Sequence, residues 1–202
     1  MKNYLFFGDS VTEAGRDKSN PSDLGHGFVY FLSQEFREIK FINKGIGGQR
    51  VKDLINRLDI DVINLNPNVC FILIGVNDAW LPYRLNQGSS IHTFRNSLDV
   101  LIKTIIEKSD HTEIVLIKPY AIAIQKSNEN MIIDLAAFRN DYDLIGKKYN
   151  LPVIDIKETI EKQLKVVPAD TLFYDGIHPT KLGHQIIGKI IEDYIRGNLH
   201  DL

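Results

Sequence analysis

Cysteine is almost missing from this chain: among 202 residues there is one, Cys70. No internal disulfide can form, so the fold rests on its core, and the lone thiol fits a reducing, cytoplasmic setting. Cys70 stands in the apolar run Val69–Ile74 and reads as a small core residue rather than a nucleophile. Long hydrophobic runs are missing as well. Leu5-Phe6-Phe7 stops at Gly8, short of the roughly 7–15 residues of a secretory h-region, and Met1 opens the sequence. No run reaches the roughly 18–20 apolar residues that span a bilayer. An excess of one charge is also lacking: 24 Lys and Arg face 26 Asp and Glu, a net charge of -2. That leaves no electrostatic ground for a nucleic acid or an anionic membrane as partner. Repeats, low-complexity tracts and linkers are absent, so residues 1–202 read as one domain, and 44% hydrophobic residues suffice for its core.

What is present is an alternation. Short β-rich runs at Asn3–Phe7, Lys40–Asn43, Val69–Ile74, Glu113–Ile117 and Pro152–Ile154 predict five strands. The central ones are continuously apolar, as strands covered on both faces are. Between them lie helical stripes: Val51, Leu54, Ile55 and Leu58; Ile91, Phe94, Leu98, Leu101, Ile102 and Ile105; Leu135, Phe138, Tyr142, Ile145 and Tyr149; Leu182, Ile186, Ile187, Ile190, Tyr194 and Ile195. Strands alternating with helices predict right-handed crossovers, a five-stranded parallel sheet and a three-layer α/β/α sandwich. Ser19–Ser22 and Asn86–Ser90 read as surface loops.

In such a sheet, ligands bind outside the carboxyl ends of the strands. Three motifs gather at that edge: Gly8-Asp9-Ser10 after the first strand, Gly45-Ile46-Gly47-Gly48 after the second, Gly75-Val76-Asn77-Asp78 after the third. Far along the chain, Asp175-Gly176-Ile177-His178-Pro179 spaces a carboxylate and an imidazole so that one tight turn joins them. A serine hydroxyl needs such an imidazole to take its proton, and the imidazole needs the carboxylate to fix its tautomer. These residues predict a Ser10–His178–Asp175 hydrolase. The glycine loop can bring backbone N–H groups near an anion, and the Asn77 amide can donate to an oxyanion. As turns ending strands, the same strings need no function.

Rival chemistries fit less well. Gly45-x-Gly47-Gly48 lacks the final spaced glycine of a dinucleotide fingerprint, and Gly-x-Ser-x-Gly, the α/β-hydrolase elbow, is absent around Ser10. His178 and His184 lack the spacing of a helical zinc motif, so neither metal nor cofactor is expected. His26, His92, His111 and His200 read as surface or turn residues.

Taken in order, Gly8-Asp9-Ser10, Asn43-x-Gly45-x-x-Gly48, Gly75-x-Asn77-Asp78 and Asp175-x-x-His178-Pro179 resemble the SGNH (GDSL-type) hydrolase family over essentially the whole chain. One departure is Val11, where the family's name-giving leucine stands. The resemblance implies a flavodoxin-like fold and metal-free hydrolysis of esters or thioesters. It also implies an oxyanion hole of the Ser10 and Gly48 N–H groups with the Asn77 amide. Gly8–Arg16, Leu24–Phe28 and Ile74–Trp80 are similar to a bacterial subgroup that includes esterases removing acetyl groups from xylan and related saccharides. An oligosaccharide or small-molecule ester is then the expected partner, with Asp9, Trp80, Tyr83, Arg84 and Tyr120 as candidate substrate contacts. Trp80 equally fits as a packing residue of its loop. A lysophospholipase or thioesterase and a non-catalytic saccharide-binding domain are the alternatives, and exposed helix faces leave room for a homo-oligomer.

Overall fold

Alternate residues of the strands point to opposite faces of one sheet, and both faces are apolar. Leu5, Phe7, Cys70, Ile72, Ile114 and Leu116 enter one core cluster; Tyr4, Phe6, Val69, Phe71, Val115 and Ile117 enter the other. In this computed structural model, which describes residues 1–85, 91–124 and 129–198, the side chains of 82–85 and 91 lie outside the description. Strands β1 (Lys2–Gly8), β2 (Ile39–Gly45), β3 (Val69–Leu73), β4 (Glu113–Ile117) and β5 (Val153–Ile154) form a 5-stranded sheet in the order β2-β1-β3-β4-β5. Every pairing is parallel. The helices are α1 (Ser10–Glu13), α2 (Phe28–Glu35), α3 (Val51–Asp61), α4 (Val76–Leu85), α5 (Ile91–Lys108), α6 (Glu129–Tyr149), α7 (Lys157–Gln163), α8 (Ala169–Leu172) and α9 (Lys181–Asn198).

Helices α3, α5 and α6 cover one face, and α2, α7 and α9 cover the other. Phe6 stacks on Phe71 across β1 and β3 with ring centroids 4.6 Å apart, and Phe94 of α5 stacks on Phe138 of α6 at 4.0 Å. Such burial is the main stabilising term, at roughly 1.5–3 kcal/mol per large apolar side chain. Cys70 is buried in this core, which pushes its thiol up to about 12 and makes it inert at neutral pH.

The strand order sets the position of the site. The chain leaves β1 toward β2 on one side and reaches β3 on the other, so β1 and β3 flank the topological switch point where such sheets hold ligands. Ser10 follows β1 and Asn77 follows β3 there.

Two expectations shift. Strands β1 and β2 run on through Gly8 and Gly45, which pair with each other. In α9 the buried face is Gly183, His184, Ile187, Gly188, Ile191 and Ile195, while Leu182 is exposed. The helix is rotated from the stripe of large residues because Gly188 lies against Phe28 and Phe31 of α2. The loop Asn86–Ser90 and His200 lie outside the described residues.

Candidate active site

Asp9 caps α1, its carboxylate accepting the Val11 N–H at 3.0 Å, and Ser10 becomes the first residue of that helix. Close approach fixes the neighbouring glycine: a Cβ on Gly45 would lie 2.1 Å from the Glu13 backbone nitrogen. The loop after Gly45 is held from several sides. Asn43 accepts the Gly45 N–H at 2.8 Å and donates to the Thr12 and Leu24 carbonyls at 2.7 and 2.9 Å. Arg16 donates to the Gly45 carbonyl at 3.1 Å, and Glu13 accepts the Gly47 N–H at 2.6 Å. Gly48 then adopts φ of +76°, with no atom within 4 Å of where a Cβ would stand. Asn77, in the first turn of α4, donates through Nδ2 to the Gln49 carbonyl at 3.0 Å. That bond engages one of two amide protons. The N–H groups of Ser10 and Gly48 have no hydrogen-bond partner among the described residues.

The last motif arrives on a tight turn before α9. Asp175 Oδ1 accepts the N–H groups of Ile177 and His178 at 2.9 and 2.8 Å, and its Oδ2 accepts His178 Nδ1 at 2.7 Å. Gly176 makes the turn possible, with φ of +90° and a Cβ position 2.2 Å from the Ile122 carbonyl oxygen. Ser10 Oγ lies 2.9 Å from His178 Nε2. With Nδ1 protonated toward the carboxylate, Nε2 accepts from the serine hydroxyl. Burial raises the Asp175 carboxyl, but the hydrogen bonds from His178 and Ile177 outweigh it and hold the group below its ordinary value. Both ring nitrogens of His178 are engaged, which leaves none for the metal pair with His184. Among the described residues no group of three His, Cys, Asp or Glu could hold a metal ion. A cavity of about 720 Å³ opens beside Ser10 and His178, between α2 and α9.

Comparison with known proteins agrees with this architecture. The GDSL-like Lipase/Acylhydrolase family matches residues 6–186. The chain belongs to that family. An acetylxylan esterase of Geobacillus stearothermophilus is 28% identical over 199 residues, covering 92% of this chain and 90% of that one. A protein described as a GDSL-like lipase from Parabacteroides merdae superposes with a TM-score of 0.88 at 29% identity, over 94% of this chain and 93% of the other. The crystal structure of the Geobacillus acetylxylan esterase gives 0.84 at 26% identity, over 96% and 93%. The protein is therefore a carboxylic ester hydrolase with the GDSL fold, and no helix among its described residues is long and apolar enough to cross a membrane.

In this GDSL hydrolase the remaining candidate residues fall in different places. Asp9 is buried under Ser10 and does not line the cavity. Trp80, on α4, is partly buried against the core cluster that α3, α5 and α6 share, and it does not line the cavity. The side chains of Tyr83 and Arg84 lie outside the described residues. Tyr120 borders a separate cavity of about 240 Å³ with Arg139, Lys157 and Glu161. Conversely, the wall beside Ser10 includes His26, Tyr30, Tyr174, Lys181 and His184, which motif matching passed over. Glycines beside His26 (Gly25 and Gly27) and before His184 (Gly183) were the available signal, since a glycine often marks close approach.

Asp78 and Asp9 share a buried layer beneath the site. Burial pushes each carboxyl up to about 7; the Val51 N–H opposes the rise for Asp78, and the Val11 N–H and the nearby His178 oppose it for Asp9. For Asp78 the negative charge of Asp9 adds to the rise. The ordinary value is 3.8. The folded protein thus keeps a proton that the unfolded chain releases, so this contribution to stability is full below 3.8 and lost as pH rises to about 7. Asp78→Asn retains an acceptor for the Val51 N–H, which lies 3.3 Å away, and has no proton to lose. Its melting temperature relative to the wild type should climb between pH 4 and 7 and then level off; a difference independent of pH would show that Asp78 titrates normally.

Proposed function

We propose that this protein is a serine esterase that removes short acyl groups, acetyl above all, from a carbohydrate through a Ser10–His178–Asp175 triad. The observation that carries the reading is the unbroken line from Ser10 Oγ through both ring nitrogens of His178 to the Asp175 carboxylate, at 2.9 and 2.7 Å. His178 Nε2 takes the hydroxyl proton as Oγ attacks the ester carbonyl carbon. The oxyanion is received by the Ser10 and Gly48 N–H groups and the second Asn77 amide proton. His178 returns the proton to the alcohol oxygen as the carbon–oxygen bond breaks, leaving an acyl-enzyme. Water, deprotonated by His178, then attacks that ester and frees Ser10. Asp175 stays ionised throughout, which its depressed value supports.

The acetyl and carbohydrate parts of the reading draw on the relatives. Acetylxylan esterase is the activity of the Geobacillus relative, and catalytic mutants of it with serine or aspartate replaced by alanine share this fold. The test compares 4-nitrophenyl acetate with 4-nitrophenyl octanoate, then measures acetate release from acetylated xylo-oligosaccharides. The acetate ester should be favoured at least about tenfold in kcat/KM, a difference of roughly 1.4 kcal/mol, with acetate released from the saccharide. Preference for octanoate would point to a lysophospholipase or thioesterase, and saccharide binding without turnover to a binding domain.

A further inference from the structure

We propose that the cavity beside Ser10 is the subsite for the alcohol half of the ester, that this alcohol carries free hydroxyl groups, and that His184 selects for them. The inference rests on the triad reading and adds to it a direction for the substrate and a residue that determines specificity.

The direction follows from where the proton must go. His178 hands its proton to the departing alkoxy oxygen, so that oxygen has to lie beside the imidazole. The cavity is bordered by Ser10 and His178 but by neither Gly48 nor Asn77. A carbonyl oxygen turned toward those donors leaves the alkoxy group facing the cavity. Its volume of about 720 Å³ is far more than an acetyl group fills and falls within the roughly 300–1,000 Å³ of pockets that enclose whole small ligands.

The choice of ligand follows from the wall. His184 is 8% exposed, more than nine-tenths buried, and tilts against the ring of Phe28. Its Nδ1 is fully buried with no hydrogen-bond partner, facing Gly27, where a Cβ would come within 3.0 Å. Nε2 makes no hydrogen bond to the described residues and is not among the buried atoms left unpartnered, so it is the ring nitrogen with access to solvent, on a residue that lines the cavity. A bare lone pair is the milder state for the enclosed Nδ1, which puts the ring proton on Nε2, toward the cavity. Burial, with His178 nearby, lowers the imidazole to about 4, so the ring is neutral at working pH. A neutral donor with no protein partner on the wall of a cavity suits a hydroxyl group. Tyr30 and Tyr174, 43% and 74% exposed, add flat faces of the kind a sugar ring covers.

His184→Phe keeps a ring against Phe28 and deletes both nitrogens; His184→Gln keeps a hydrogen-bonding end. Each is assayed on acetylated xylo-oligosaccharides, glycerol monoacetate and 4-nitrophenyl acetate, whose alcohol half has no free hydroxyl. The phenylalanine variant should lose about tenfold or more in kcat/KM on the two hydroxylated alcohols, chiefly through KM, the scale of a binding site left without its hydrogen bond. It should stay within about twofold on 4-nitrophenyl acetate, and the glutamine variant should recover part of the loss. Equal losses on all three substrates, or no loss on any, would overturn the proposal. A measurement on the unaltered enzyme guards against misfolding: unacetylated xylobiose should inhibit 4-nitrophenyl acetate hydrolysis competitively, and no inhibition would count against the subsite. Ser10→Ala, run alongside, separates the two layers. If it retains activity the triad reading fails, whereas a dead Ser10→Ala with an unselective His184→Phe defeats the subsite alone.

Discussion

Ser10→Ala is expected to abolish ester hydrolysis, with kcat falling on the order of 10⁶-fold, while thermal stability changes little. The stability half of that expectation comes from the side chain's surroundings. Ser10 is only partly buried, and its hydroxyl makes one side-chain hydrogen bond, to His178 Nε2 at 2.9 Å. Removing the oxygen leaves no buried polar group stranded, because His178 is itself partly exposed and water can reach its ring. The Asp9 cap and the Asp175–His178 pair are untouched by the change. Initial rates with 4-nitrophenyl acetate, alongside a melting curve, check both halves. A stable variant with substantial turnover would show that another group attacks the ester.

Asn77→Ala comes next in size, with kcat expected to fall about 10²–10³-fold and KM to change little. Two effects combine in that loss. In the proposed mechanism the amide proton not bound to Gln49 donates to the oxyanion, and the bound one ties α4 to the chain just after Gly48. Alanine therefore removes one donor and loosens the support of a second. Steady-state kinetics on a small ester separate this from ordinary binding. A rise in KM alone would mean that Asn77 holds the ground state and not the transition state.

Much of the fold was legible because buried parallel strands leave a plain mark. The continuous apolar run at Val69–Ile74 became β3, which ends at Leu73, and the run Glu113–Ile117 became β4. Glycine misled at the strand ends. Gly8 and Gly45 looked like terminators, yet they stay in the ladder because α1 crosses too closely for a side chain. Asn77 and Asp78 looked like a turn for their local hydrogen-bonding habits. They instead start α4, where Asp78 is held in a buried layer against the N–H of Val51. Helix α2 went unpredicted, since its face of Phe28, Val29 and Leu32 is short and its partner α9 presents glycine to it.

At the site, the motifs picked out Ser10, His178 and Asp175, which the fold brings into one line of hydrogen bonds. They did not locate the cavity wall. His26, Tyr30 and His184 come together through the packing of α2 on α9, which no local spacing in the sequence records. Trp80 illustrates the converse. Being the one tryptophan and standing near Asn77, it drew a substrate-binding expectation, but its ring lies over the core on the other face of the sheet.

The central claim is that Ser10 is the nucleophile, and a fluorophosphonate probe tests it most directly. Such reagents phosphonylate a serine activated by an adjacent base, with fluoride as the leaving group. After reaction, the intact mass should increase by one phosphonyl group, and peptide mapping should place it on Ser10; His178→Ala should react far more slowly. A single adduct on any other residue, or labelling of Ser10 at the same rate without His178, would contradict the account.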